Sequence, residues 1–184
     1  MTAKAALAGL LLLAMPCGNA VAQPSDFSAS KTQVVSIVGP LNCCGGATVE
    51  TNIASVRIPA NSMGPSGAVD LKCLWSYPNS SNNKTLTTRI APSPGSVSGG
   101  VLHGTFTVTT TASTSTEIIV RNIATNSQLS WAAAPSAPYG SIAPGLSANA
   151  VDTTADIYLN INGVTALGTE TITLNHCFAL IMRQ

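Results

Sequence analysis

The feature that most constrains what this chain can fold into is a two-residue alternation that recurs along it. In "AVDLKCLWSY", Val69, Leu71, Cys73, Trp75 and Tyr77 alternate with Asp70, Lys72, Leu74 and Ser76. A period of two is that of a strand with one face buried, so Cys73 and Trp75 belong on the apolar side. "ADIYLNINGV" puts Ile157, Leu159 and Ile161 on one face and Tyr158 and Asn160 on the other, with Asn162-Gly163 as the stop. "ETITLNHCFALIM" aligns Ile172, Leu174, His176, Phe178 and Leu180, unless a bulge near His176 resets the register. "QVVSIV", "ATVETNIASVRI", "NKTLTTRI", "VLHGTFTVTT" and "STEIIVRN" add strands rich in Val, Ile and Thr.

Outside the first residues no stretch has a helical period, which rules against a parallel α/β sheet and its crossover helices. Breakers recur at Gly39-Pro40, Gly64-Pro65, Pro78-Asn79, "APSPGSVSGG" and "APSAPYGSIAPG". This punctuation is that of an all-β antiparallel sandwich. The long interruption from Ala132 to Ala150 reads as a surface loop with a contact role, carrying Trp131 and Tyr139 as candidate ligand-contact aromatics.

"MTAKAALAGLLLLAMPCGNAVA" has one early cation, an apolar run and a small-residue site at Ala20-Val21-Ala22. It is built as a signal-peptide helix over residues 1–22, leaving 23–184 as a single sandwich domain and the protein exported. The run is too short for a membrane span, which takes ~20 apolar residues. Beyond the leader, seven basic residues face seven acidic ones, and charged residues are 8% of the whole chain. No basic patch offers itself to nucleic acid, and a near-neutral surface rich in hydroxyls favours a homo-oligomer.

"IPANSMGPSGAVDLKCLWSY", "NNKTLTTRI", "VRNIATNSQLS" and "VDTTADIYLNINGVTALGTETITLNHCFALIMR" together resemble jelly-roll domains of tailed-bacteriophage virion proteins of the fibre, head-decoration and tail-associated type. The resemblance rests on Ile58 to Asn61, Lys84 to Leu86, Arg121 to Gln128 and Asp152 to Asp156. It implies a jelly-roll-like sandwich, a structural role by assembly and surface contact, a trimer, and a glycan, cell-surface or virion partner. It implies no catalytic residues and no cofactor. Virion proteins lack a cleaved leader, so localisation is either export or the virion.

Of five cysteines, Cys17 belongs to the leader, and Cys43, Cys44, Cys73 and Cys177 remain as disulfide candidates. Adjacent side chains in an extended segment point to opposite faces. The expected framework sends one of Cys43 and Cys44 to Cys73 and the other to Cys177; a single bridge with two free thiols is the alternative. Zinc spacing is missing. The two histidines, His103 and His176, come with no Gly-x-Ser-x-Gly elbow and no His-Glu-x-x-His, so the reading is non-enzymatic. A secreted carbohydrate-binding module or adhesin is the second reading, and a pilus-type subunit a weaker third.

Overall fold

A computed structural model describes residues 32–45, 48–133 and 146–184. The segment read as a leader (1–22) and Tyr139 lie outside the described residues. Within them the chain is all-β: β1 (Thr32–Cys43), β2 (Thr51–Ile58), β3 (Ala68–Ser76), β4 (Lys84–Ala91), β5 (Val101–Val108), β6 (Ser113–Ala124), β7 (Ser127–Ala133), β8 (Leu146–Asn149), β9 (Ile157–Thr165) and β10 (Ile172–Met182).

Two antiparallel sheets face each other, one in the order β1-β10-β3-β6-β7-β8 and the other β2-β9-β4-β5. With β7 and β8 set aside, the strands pair as nested ribbons. β1 pairs β10 and β3 pairs β6 in one sheet, while β2 pairs β9 and β4 pairs β5 in the other. This is the jelly-roll arrangement, with β7 and β8 as an added hairpin on the larger sheet.

The alternation sets the core. Val69, Leu71, Cys73 and Trp75 of β3 meet Ile157, Leu159 and Ile161 of β9 and Leu86 and Ile90 of β4, all of them buried. Trp75 keeps its indole N–H satisfied by donating to Thr116 Oγ1 at 2.9 Å.

The bulge anticipated near His176 is present, and two turn expectations are corrected. β10 does carry a bulge, between Leu174 and His176, where its pairing with β3 shifts. Ile172 and Leu174 therefore point inward, then Cys177, Ala179 and Ile181, while His176, Phe178 and Leu180 turn outward. Gly39-Pro40 does not end a strand: β1 runs through this cis bond with a register shift. A Cβ at Gly39 would lie 2.2 Å from the Leu174 carbonyl oxygen, so only glycine fits beside the bulge. Asn162-Gly163 is likewise strand interior, because β4 pairs with β9 as far as Thr165.

The interruption from Ala132 to Ala150 is not all loop, since its two ends belong to β7 and β8.

Candidate functional site

All four cysteines stand in disulfides, but not in the expected pairs: Cys73 is bonded to Cys177 and Cys43 to Cys44. Strand register decides this. Cys177 sits opposite Cys73 across the β10–β3 ladder, with Cα atoms 4.2 Å apart. On β10's other side Cys177 faces Ile37, whereas Cys43 faces Ile172. Five residues along a strand is about 17 Å, well beyond the ~7 Å Cα limit for a bridge. Cys43 and Cys44 are left with each other at the strand end, where Cys44 takes a positive φ of 74°. The pair is buried, and Cys43 Sγ lies 3.1 Å from where a Cβ on Gly163 would stand.

The histidines do not converge. His103 points into the sandwich from β5, and His176 points outward from β10, near Phe178 with ring centroids 6.3 Å apart. Burial holds the His103 imidazole down to about 4. Its Nδ1 accepts from Asn149 Nδ2 at 3.2 Å, and that amide also donates to Ser130 Oγ at 2.9 Å. Among the described residues no three His, Cys, Asp or Glu side chains gather to hold a metal ion, and no helix is long and apolar enough to cross a membrane.

The buried polar side chains fasten loops to strands. Lys84, fully buried, donates to Ser80 Oγ at 2.6 Å and to the carbonyls of Ser80 and Thr109 at 3.3 Å, with Glu170 Oε2 at 3.8 Å. Glu170 in turn accepts from Ser80 and from Asn82, and these bonds hold its carboxyl below the ordinary range. At another corner Asn122 donates to Gly64 O at 2.7 Å and to Thr153 Oγ1 at 2.9 Å. Gln128 there bonds the backbone of Val151 through both ends of its amide. Asp156 receives Arg57 Nη2 at 2.7 Å and the Ala60 N–H at 2.9 Å.

The outer faces of the two sheets differ in kind. On the four-stranded sheet Asn160 and Asn162 are fully buried although they point away from the core. The segment from Ser93 to Ser96 lies over them: Asn160 accepts from the Gly95 N–H at 2.8 Å and donates to Ser93 O at 3.1 Å. Asn162 donates to Glu50 Oε1 at 3.0 Å and accepts from Asn52 at 2.8 Å. Arg89 grips both Glu50 oxygens at 3.0 and 3.1 Å. Burial alone would raise the Glu50 pKa, but bonds from Arg89, Thr87 and Asn162, with the Arg89 charge, bring it below its ordinary value.

On the six-stranded sheet no described segment covers Val34, Val38, Leu74 or Leu146 in the way Ser93 to Ser96 cover Asn160 and Asn162. One row across it reads Val34, Leu180, Asp70, Ile119, Trp131 and Leu146, the next reads Ser36, Phe178, Lys72 and Glu117, and the one after that reads Val38, His176 and Leu74. Val34 is 65% exposed, Val38 77%, Leu74 52% and Leu146 59%. Trp131, expected in a loop, stands on this face in β7. At the centre Lys72 bridges Asp70 at 3.4 Å and Glu117 at 3.1 Å. Burial among these neighbours raises the Asp70 pKa, and its Oδ1 is enclosed without a hydrogen-bond partner.

Sequence reasoning missed Asn160, Asn162 and Lys84 as structural groups. The only signal was polar residues alternating with core positions, which ordinarily marks a solvated face.

No family model and no curated protein sequence matches the chain. Among solved structures it is similar to VP2 of the infectious bursal disease virus subviral particle, at TM-score 0.38 and 11% identity over 82% of this chain and 32% of that one. It is similar to lectin I of Ulex europaeus, in complex with the methyl glycoside of alpha-L-fucose, at TM-score 0.38 and 9% identity over 83% of this chain and 92% of that one. It is also similar to dimeric latent PorU of Porphyromonas gingivalis, at TM-score 0.40 and 8% identity over 82% of this chain and 12% of that one. The chain thus spans about a third of VP2 and about an eighth of PorU; the jelly-roll assignment rests on its own strand pairing.

Proposed function

We propose that this chain is an exported, non-enzymatic structural protein that works by assembly and surface contact, as its resemblance to tailed-phage virion domains implies, and that it acts as a homo-oligomer, with a trimer as the form the resemblance favours. The observation that carries this reading is the use made of the buried polar groups. Lys84, Asn122, Gln128, Asn160 and Asn162 tie loops to the sandwich, which is how a rigid scaffold presents a fixed surface. Multiplying such a surface by oligomerisation turns weak contacts into avid ones. The partner is a cell-surface or virion component, and nucleic acid is not among the partners because charge is scarce and balanced.

The test is intact mass of natively expressed protein, with and without reductant, alongside light scattering. Export predicts a chain beginning at Gln23 that gains four hydrogens on reduction, and assembly predicts a mass above the monomer. A chain beginning at Met1 with free thiols overturns the export half. A monomer overturns the assembly half.

Glycan binding is a second reading, favoured by the outward position of Trp131, since an aromatic face can stack on a sugar ring. Glycan-array binding that disappears in Trp131→Ala, with the oligomer intact, would replace the structural reading.

A further inference from the structure

We infer that His103 is an acid-sensitive latch, which while neutral holds the edge strand β8 against β5 and when protonated lets it go. The latch sits where the rims of the two sheets meet: β5 ends the four-stranded sheet and β8 ends the six-stranded one. A local irregularity aims the side chain. Thr88 pairs with Gly104 and Arg89 with Leu102, so His103 is an extra residue on β5 with no partner across the ladder. His103 and Gly104 are both turned inside in consequence, between the exposed Leu102 and Thr105. Gly104 lets the strands close in, since a Cβ there would lie 2.8 Å from Ile118 Cδ1 and 3.3 Å from Ala132 Cβ. His103 is left 4% exposed, with its Nδ1 on the Asn149 amide of β8 at 3.2 Å.

These surroundings suit only a neutral ring. Asn149 Nδ2 also donates to the Ser147 carbonyl at 3.3 Å, which fixes that group as the donor and Nδ1 as its acceptor. The ring N–H is then on Nε2, which is enclosed without a hydrogen-bond partner among the described residues. An imidazolium sets Nδ1–H against the Asn149 N–H and buries a charge. No counter-ion stands by. The inward side chains here are Ile118 of β6, Ser130 and Ala132 of β7 and Asn149 of β8. Arg89 and Glu117 are on the outer faces, and Asp152 is exposed and turned to Thr154. Lys84 of β4 stands opposite Val108, about 17 Å along β5, and residues 134–145 include no acidic or basic side chain. Burial brings the folded-state value down to about 4 from 6.5. The contribution of the neutral ring is therefore whole above 6.5 and is lost as pH falls from there toward 4. The element that yields is β8, which has four residues and pairs with β7 alone. If opening returns the ring to its ordinary value, the open population rises about thirtyfold between pH 8 and pH 5.

Hydrogen–deuterium exchange of the full chain at pH 8 and pH 5, read by mass spectrometry and corrected for the intrinsic rate, tests this. The window lies above the ordinary carboxylate range, so the histidine change is read apart from Glu50 and its kind. Amides of residues 146–151 are expected to lose protection about thirtyfold in wild type, while those of β3 and β10 keep theirs. His103→Gln keeps a polar side chain that does not titrate, and it should erase the pH dependence. Asn149→Asp sets a carboxylate against the ring and should reverse it, leaving 146–151 better protected at pH 5 than at pH 8; it carries the test should His103→Gln fold poorly. No loss in wild type, a loss shared equally by β3 and β10, or an equal loss in His103→Gln overturns the latch. So does an Asn149→Asp chain that still loosens in acid.

Discussion

The two outward sheet faces solve the same problem in opposite ways. Above β9 and β4, Asn160 and Asn162 are polar and enclosed, because the segment from Ser93 to Ser96 folds over them and supplies partners for their amides. Above β10 and β3, Leu74 is apolar and exposed, and Leu180 and Phe178 are apolar and half-buried. Polarity therefore does not report exposure in this molecule. What decides it is whether another piece of chain arrives with matching hydrogen bonds.

The largest effect should come from the tie behind the open face. Removing Cys73–Cys177, which spans 104 residues, is expected to cost about 4.7 kcal/mol on the chain-entropy argument, read in a guanidinium titration under non-reducing conditions. Removing Cys43–Cys44, which closes a ring between neighbours, should cost roughly 1 kcal/mol on the same chain-entropy argument. Equal losses would show that the six-stranded sheet does not depend on its covalent tie.

Next comes the covered face. Asn162→Leu takes a donor from Glu50 and an acceptor from Asn52, and thermal melts should show a loss of about 2–3 kcal/mol. A neutral result would mean that the covering segment seals the face without its bonds.

The faces should also respond to acid in opposite directions. The folded-state pKa of Glu50 is depressed, so its stabilising contribution is present above the unfolded value of 4.5 and fades as pH falls through the folded value. That of Asp70 is raised above 3.8, so its charge is a burden at neutral pH that protonation relieves as pH falls. Melting temperature followed from pH 7 down to 3 should accordingly fall less steeply for Glu50→Gln than for wild type. Asp70→Asn should melt higher than wild type at pH 7, with the gap closing in acid.

The smallest effect belongs to the open face itself. Val38→Ser should change monomer stability by no more than ~0.5 kcal/mol, measured at concentrations too low for association. A larger loss would mean that Val38 contributes to the sandwich rather than to a contact outside it.

The core alternation was legible residue by residue: Val69 to Trp75 and Ile157 to Ile161 point inward as their spacing requires. The places where reading stopped short look like turns locally. Gly39-Pro40 and Asn162-Gly163 have turn composition, yet neighbouring strands carry the ladder past them. A bulge and a close approach to Cys43 need the same small residues that a turn does. The candidate contact aromatics divided: Trp131 stands on a strand face, and Tyr139 falls outside the described residues.

By itself, then, the sequence determined an all-β chain, the inward face of most of its strands, and four cysteines beyond residue 22 as candidates for bridges. These are local properties, carried by a period of two and by composition. Only the tertiary structure decided which cysteines meet, which polar residues are buried and which apolar face stays open. Each of these depends on register between strands as far apart as β3 and β10, or on a distant segment closing over a face, and no local pattern encodes either.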